Sequence, residues 1–419
     1  MPPPPPAATT HDRRTGLEVH RAEHPRAPVP VTAGRLLVHG PFERSAPGSM
    51  CTEILWPGAW HVMVGASRQA RYGYDLRASA VDDQFILPFY VVRGAEAKLA
   101  RAVFDLLDGP SRTPPSAERR EAIESRHLDT PVFVLSFVAR VGRLPRPMSA
   151  AECRAALVPA PRRVPTTLDL IGDAAQADAL LEALARTMRA RNRAPAPRDP
   201  AAPAAGERGG GLDVVVWPGL ARAHVHLRSA PVEIDARRPL LEAWLRRAWT
   251  DRAGVPMEIL RQRFGATYTY TALFWRDRLV LSAALDQALA GRATRGLVEA
   301  VTAPAFWRAR LPDDARAILR ARWARAGTKL SPREVAHLAA ARPWLDGDAP
   351  AAWSLRDLDR AFRRARIALA VPKLTRAVRD DACALARTLE HTSFDVHVRR
   401  SRDDGAPPRR IACPGRGTR

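Results

Sequence analysis

The sequence predicts an α+β protein made of two homologous halves, each a mainly antiparallel sheet packed with helices and related by pseudo-two-fold duplication. Three observations predict it. Short apolar or alternating runs interleave with longer stretches whose apolar residues recur every three or four positions. An Ala-x-Tyr-x-Tyr piece occurs in each half, at Ala70–Tyr74 and Ala266–Tyr270, and each is followed by an apolar run and then a helical stretch. Between the halves lies a segment, residues 189–211, of Pro, Ala, Arg and Gly with no apolar periodicity.

In chain order, residues 1–15 are rich in proline and polar groups and read as a disordered leader. Val29 to His39 reads as a strand. After the first Tyr piece, Phe85 to Val92 is an apolar strand, and AKLARAVFDLL is a helix with Leu99, Val103, Leu106 and Leu107 on one face. Leu168 to Ile171 reads as a strand, Gly172-Asp173 as a turn, and the next stretch as an amphipathic helix with Leu180, Leu181, Leu184 and Met188 inward. These elements place a first domain over 16–188. After the linker, Val214–Trp217 and Ala223–Leu227 read as a strand pair broken at Pro218-Gly219. Residues 237–249 read as a helix, Leu279–Leu285 as a strand, and helix predominates from 287 to 391. The second domain is placed over 212–400 and a disordered basic tail over 401–419.

The chain has 419 residues and a formal net charge of +22. Lys98, Lys329 and Lys373 are its only lysines among 66 basic residues. Arginine is spread along the whole length among alanines and prolines, so the charge reads as compositional bias. No basic strip carries interleaved stacking aromatics, and no nucleic-acid partner is expected. No run approaches the apolar length of a membrane span, so no membrane partner is expected. The N-terminus shows no apolar signal core, which points to the cytoplasm. Cys51, Cys153, Cys383 and Cys413 lie far apart, without metal-ligand spacing, and no disulfide framework is expected from them.

Four motifs, in order and with a central linker, resemble the pitrilysin/insulinase family of zinc peptidases, in its two-domain branch. They are the opening Gly16–Gly48 stretch; its loop Gly40–Gly48, GPFERSAPG; Leu168–Leu184; and LRQRFGATYTYTA, Leu260–Ala272. The resemblance covers about residues 16 to 390. It implies a helix after Gly48 bearing an inverted His-x-x-Glu-His motif, in which two histidines one turn apart hold zinc and the glutamate activates the bound water. Carried over without a gap, Cys51 stands at the first histidine, Ile54 at the glutamate and Leu55 at the second histidine. Ile54 and Leu55 can neither bind a metal nor take a proton, and Cys51 alone is too few ligands for a zinc site. The third ligand would fall in AERREAIESR, where Glu118, Glu121 and Glu124 are available. Without the histidines these read as a solvated helix face.

His20-Arg-Ala-Glu23-His24 matches the motif literally. The chemistry needs a helix, and Pro25 biases His24 away from one. In a strand, Glu23 points away from both histidines. His224 and His226 share one face of a strand, with no third ligand in view.

By the same resemblance, Arg261 and Tyr268 match the second-half pair that donates hydrogen bonds to the scissile carbonyl. Gly265 can take the left-handed conformation that ends a helix and starts the strand bearing Tyr268. Gln262 stands where the family often has glutamate. What the resemblance implies is a non-catalytic subunit of a heterodimeric peptidase. A homologous partner subunit would carry the zinc, this chain would hold no cofactor, and a peptide would be the substrate. A scaffold that kept the fold and lost peptide chemistry is the alternative. An active zinc enzyme built on residues 20–24 and a charge-driven nucleic-acid binder stand behind it.

Overall fold

The computed structural model describes residues 7–22, 31–39, 48–55, 74–76, 79–81, 84–108, 115–157, 165–171, 174–193, 210–232, 249, 254–267, 269–275, 278–303, 356–399 and 407–414. Within them the chain forms two compact units, each built on a seven-stranded sheet. The α+β class predicted from the interleaved periodicities is the observed one.

The first sheet contains β1 (Ala7–Asp12), β2 (Leu17–Ala22), β3 (Val31–His39), β4 (Tyr74–Leu76), β5 (Ser79–Val81), β6 (Gln84–Val92) and β7 (Pro165–Ile171). Helices α1 (Gly48–Leu55), α2 (Glu96–Asp108), α3 (Ala117–Asp129), α4 (Pro131–Val141), α5 (Ala150–Leu157) and α6 (Ala174–Ala190) complete the first half of the chain. The second sheet contains β8 (Gly211–Val216), β9 (Ala223–Arg228), β10 (Thr269–Trp275), β11 (Arg278–Leu285), β12 (Arg366–Val371), β13 (Ser393–Val398) and β14 (Arg409–Ala412). With it go α7 (Ala290–Val301), α8 (Arg356–Arg363), α9 (Arg376–Thr388) and a π-helix, Met257–Arg263.

The duplication is visible in strand order. The first sheet runs β2-β7-β3-β6-β4 through its core and the second runs β8-β12-β9-β11-β10. Position by position the pairing sense agrees: β2 and β7 are parallel, as are β8 and β12, and the other neighbours are antiparallel. The second Tyr piece leads into β10 and the first into β4, at equivalent places. What differs is outside this core. β1 is added beyond β2 and β5 pairs with β6 off the main path, whereas β13 and then β14 are added beyond β8.

The patterns that predicted the helices also orient them. Leu99, Val103 and Leu107 of α2 are buried as expected, and Phe104 joins them. Leu180, Leu181, Leu184 and Met188 of α6 are all buried. In β11 burial alternates residue by residue, with Leu279, Leu281, Ala283 and Leu285 inward, which is the period of a strand covered on one face. Helix α4, apolar for most of its length, lies with the second unit, where Val134, Leu135, Val138 and Ala139 pack on Val215, Ala368 and Ala370.

Four expectations are corrected. Ala7–Asp12, placed in a disordered leader, is strand β1, paired along its length with β2. The hairpin closes on Asp12, whose carboxylate accepts from the Thr15 hydroxyl at 2.7 Å, the Thr15 amide at 3.0 Å and Arg14 at 3.0 Å. Residues 409–412, placed in a disordered tail, form β14 on β13. The strands at 211–216 and 223–228 are not a pair, because β12 inserts between them, parallel to one and antiparallel to the other. Finally, all four cysteines are joined, Cys51 to Cys153 and Cys383 to Cys413. Separation in sequence carried no information here, since the fold brings the Cα atoms to 5.1 Å and 5.3 Å. The helix expected at 237–249 lies outside the described residues except for Trp249, whose indole N–H donates to the Val280 carbonyl at 2.9 Å.

Candidate functional site

Helix α1 is where the resemblance places the metal motif, and residues 48–55 are helical. Its chemistry is that of a core helix. Met50, Cys51, Ile54 and Leu55 are all 2% exposed or less. Glu53, the helix's one carboxylate, is buried too. Cys51 is spent in the bond to Cys153 of α5, so no thiolate remains to bind a metal. Ile54 and Leu55 carry no lone pair. Of the glutamates on α3, Glu118 and Glu121 are exposed and Glu124 is half-buried. These residues do not fit a zinc ion. Among the described residues no group of three His, Cys, Asp or Glu side chains converges elsewhere either.

The literal His-x-x-Glu-His stretch starts on a strand, because His20 lies in β2. Glu23 and His24 lie outside the described residues. In β9, His226 is buried and its Nδ1 lies 2.8 Å from the Ser282 hydroxyl. His224 is half-buried, and burial, followed by the charge of Arg222, holds its pKa below the ordinary histidine value. Both are accounted for as strand residues.

The second-half position is built with more care. The π-helix Met257–Arg263 buries Ile259 and Leu260 and leaves Arg261 exposed. Helical turns of this wide kind are rare and often mark functional places. The segment closes as the sequence predicts: Gly265 has φ +61°, and its amide donates to the Arg261 carbonyl at 2.8 Å. The Ala266 amide reaches the Leu260 carbonyl at 2.7 Å. Thr267 then fixes the entry to β10. Its hydroxyl meets the carbonyls of Thr269 and Ala284 and accepts from the Thr269 amide. Tyr268 itself lies outside the described residues, so the structure positions Arg261 and the backbone on both sides of its expected companion. Gly296 of α7 leaves the space in which the Phe264 ring sits. A Cβ there would lie 2.3 Å from the ring.

Sequence reasoning missed a buried polar network in the second unit. Asp213 of β8, 1% exposed, accepts from Arg366 at 2.5 Å and lies 2.9 Å from His397 Nε2. Arg366 also donates to the Ala139 carbonyl at 3.0 Å, which ties α4 to the sheet. Nearby, Arg399 meets Asp129 at 2.5 Å and lies 4.0 Å over the Trp217 ring. A charged residue inside GLDVVV was the only sign of it, because a carboxylate in an otherwise apolar strand needs buried partners.

Two seven-stranded sheets with one strand order, and a helix of apolar residues and cystine where the resemblance places the metal, describe a peptidase-like fold without the metal motif. No protein-family profile matches the chain, and no curated protein matches it. Solved structures do. A peptidase M16 inactive domain from Pseudomonas fluorescens is 13% identical with a TM-score of 0.52, over 88% of this chain and 99% of that one. A protease from Helicobacter pylori is 13% identical with a TM-score of 0.54, over 88% and 100%. A chain of complex III2 from Candida albicans is 12% identical with a TM-score of 0.51, over 90% and 99%. The fold is that of the M16 peptidases, the pitrilysin/insulinase type that the sequence motifs resemble.

Proposed function

We propose that this chain is the non-catalytic subunit of a two-chain zinc peptidase. One observation carries the reading: within a peptidase fold, the helix at the metal position presents a disulfide-bonded Cys51 with buried Ile54 and Leu55. Hydrolysis must then come from a homologous partner that holds the zinc, and this chain needs no cofactor. Its contribution is Arg261 and Tyr268. A guanidinium offers several fixed donors and a phenol one directed donor, a set suited to the oxyanion that forms at a peptide carbonyl under attack. The π-helix and the Thr267 bonds support this, because they hold the backbone at Arg261 and on both sides of residue 268.

The cystines bear on the compartment. Paired cysteines persist where the environment is oxidising, so we place the chain in such a compartment rather than in the cytoplasm expected from its N-terminus.

The test is reconstitution. Mixing the purified chain with a zinc-bearing homologue should raise cleavage of a labelled peptide, and Arg261→Ala with Tyr268→Phe should remove most of the gain. One oxyanion donor is worth roughly 10²–10³ in kcat. A second reading, a scaffold without peptide chemistry, is favoured by the likeness to a chain of complex III2, a multi-subunit assembly. Complex formation with cleavage unchanged in the double variant selects it.

A further inference from the structure

The second unit carries a basic groove that the peptidase reading does not use. It has a volume of about 550 Å3 and lies between helix α9 and strand β14. Arg379 and Arg387 line it from the helix, Arg409 and Arg410 from the strand, and all four are exposed. Asp380 is the one carboxylate of the lining, and it faces Arg376 at 3.9 Å. The floor is apolar, formed by Cys383 and Ile411.

Strand β14 is an edge. Among the described residues no strand pairs with it on the side away from β13. Its register shows which groups it presents there. Cys413 donates to the Thr392 carbonyl at 2.8 Å, and Ile411 and Arg409 stand opposite Phe394 and Val396. In an antiparallel ladder the residues between such pairs turn their N–H and C=O outward. Arg410 and Ala412 therefore offer their main-chain groups to the open side. The strand is anchored through the Cys383–Cys413 bond and the Arg387 contact to the Pro414 carbonyl at 3.2 Å. An edge held this firmly loses little entropy when a partner strand adds to it.

We propose that this groove binds an extended acidic peptide segment, which adds to β14 as a further strand and directs alternate carboxylates at Arg379, Arg387 and Arg409. Main-chain pairing supplies the attachment, and the guanidiniums select the charge. A nucleic acid would meet the same charge, but among the described residues no aromatic ring lines the groove for a base to stack on, and the outward amide row matches a peptide backbone. The proposal is independent of the peptidase reading, because neither Arg261 nor a partner subunit takes part.

The test uses the full chain and fluorescence anisotropy. The probe is a labelled peptide of about six residues alternating Glu and Val, matched to a short edge. Comparators are the Lys/Val analogue, the Glu/Val peptide N-methylated on alternate residues, and an oligodeoxythymidine. The Glu/Val peptide should bind, the Lys/Val peptide should not, and N-methylation should weaken binding roughly tenfold by removing strand donors. Arg379→Glu with Arg409→Glu should weaken it at least about tenfold, while the Lys variants keep most of it. The N-methylated and Lys/Val probes act on the unaltered protein, so the test does not depend on how the variants fold. Three results overturn the proposal. One is no binding at about millimolar Glu/Val peptide, which leaves the arginines as guards against edge pairing. Another is indifference to N-methylation. The third is oligodeoxythymidine binding tighter than the peptide.

Discussion

Removing the Cys51–Cys153 bond tests the reading of α1 most directly. The cystine closes a loop whose ends are 102 residues apart. In the chain-entropy description, a cross-link across about 100 residues stabilises the folded state by about 4.7 kcal/mol, by restricting the unfolded chain. Measured losses for native cystines run about 2–5 kcal/mol. Both sulfurs are fully buried, so replacement by Ala leaves only a small void and the cross-link dominates the change. The Cys383–Cys413 loop spans 30 residues and gives about 3.6 kcal/mol by the same relation. The assay is urea unfolding of wild type, Cys51→Ala/Cys153→Ala and Cys383→Ala/Cys413→Ala, each with and without reductant. Thiol titration of the denatured, unreduced protein accompanies it. The expected result is no titratable thiol in wild type and a larger loss for the first variant than for the second. Because the chain has two compact units, each variant should shift mainly the transition of its own unit. Four titratable thiols in protein purified without reductant would refute the cross-link. So would an unfolding curve unmoved by reductant.

Three further outcomes follow from the described geometry. Asp213→Ala should cost about 3–5 kcal/mol in urea unfolding, because it removes the carboxylate shared by the buried His397 and the half-buried Arg366; a loss below about 1 kcal/mol contradicts the network. Gly296→Ala should destabilise by about 1–3 kcal/mol, even though alanine favours a helix by up to about 1 kcal/mol, because the new Cβ lies 2.3 Å from a Phe264 ring packed against the core. Stability should be highest above about pH 6.5 and fall as the pH drops below it. His224 is held below the ordinary histidine value by burial and then Arg222, and His391 by burial and then Arg366. The unfolded chain therefore takes up protons that the folded chain refuses. Urea midpoints at about pH 8 and about pH 5 measure it, and His224→Gln with His391→Gln should flatten the slope.

The fold was legible wherever periodicity had a single cause. The inward stripe of α6 and the alternation of β11 follow from one buried face each, and the repeated Tyr piece marked β4 and β10. Neighbour relations were not legible. Nothing in Gly211–Val216 or Ala223–Arg228 states that a strand beginning at Arg366 will separate them, because that pairing is decided by a connection more than a hundred residues long. β1 and β14 were hidden by composition. Proline at 2–6 and the arginines around 409 look like solvated chain, while the short runs beside them satisfy their backbones on an existing edge. At the candidate site, it was readable that the side chains of Ile54 and Leu55 cannot hold a metal. The fate of Cys51 was not, since its partner is specified only by the packing of α1 against α5.

That partner gives α1 a hold on its unit that needs no metal. A helix of eight residues cannot hold itself in water, because its few internal bonds do not offset the nucleation cost. It needs a tertiary tie. A bound ion supplies one when ligands on the helix and elsewhere share it, and ion binding is then folding free energy. Cys51 and Cys153 supply a tie through a covalent bond instead, and Met50, Ile54 and Leu55 add apolar burial around it. The second unit uses its cystine in the same way, fixing β14, a strand outside the shared five-strand order, to α9. Both cross-links thus secure elements that lie outside the duplicated strand core. Placing at residue 54 the glutamate that the resemblance implies tests this arrangement. Ile54→Glu places a carboxylate at a site 2% exposed, at a cost of several kcal/mol. The variant should unfold earlier than wild type and gain no affinity for zinc by isothermal titration. Stoichiometric zinc binding by Ile54→Glu would show that α1 still faces a metal-competent space.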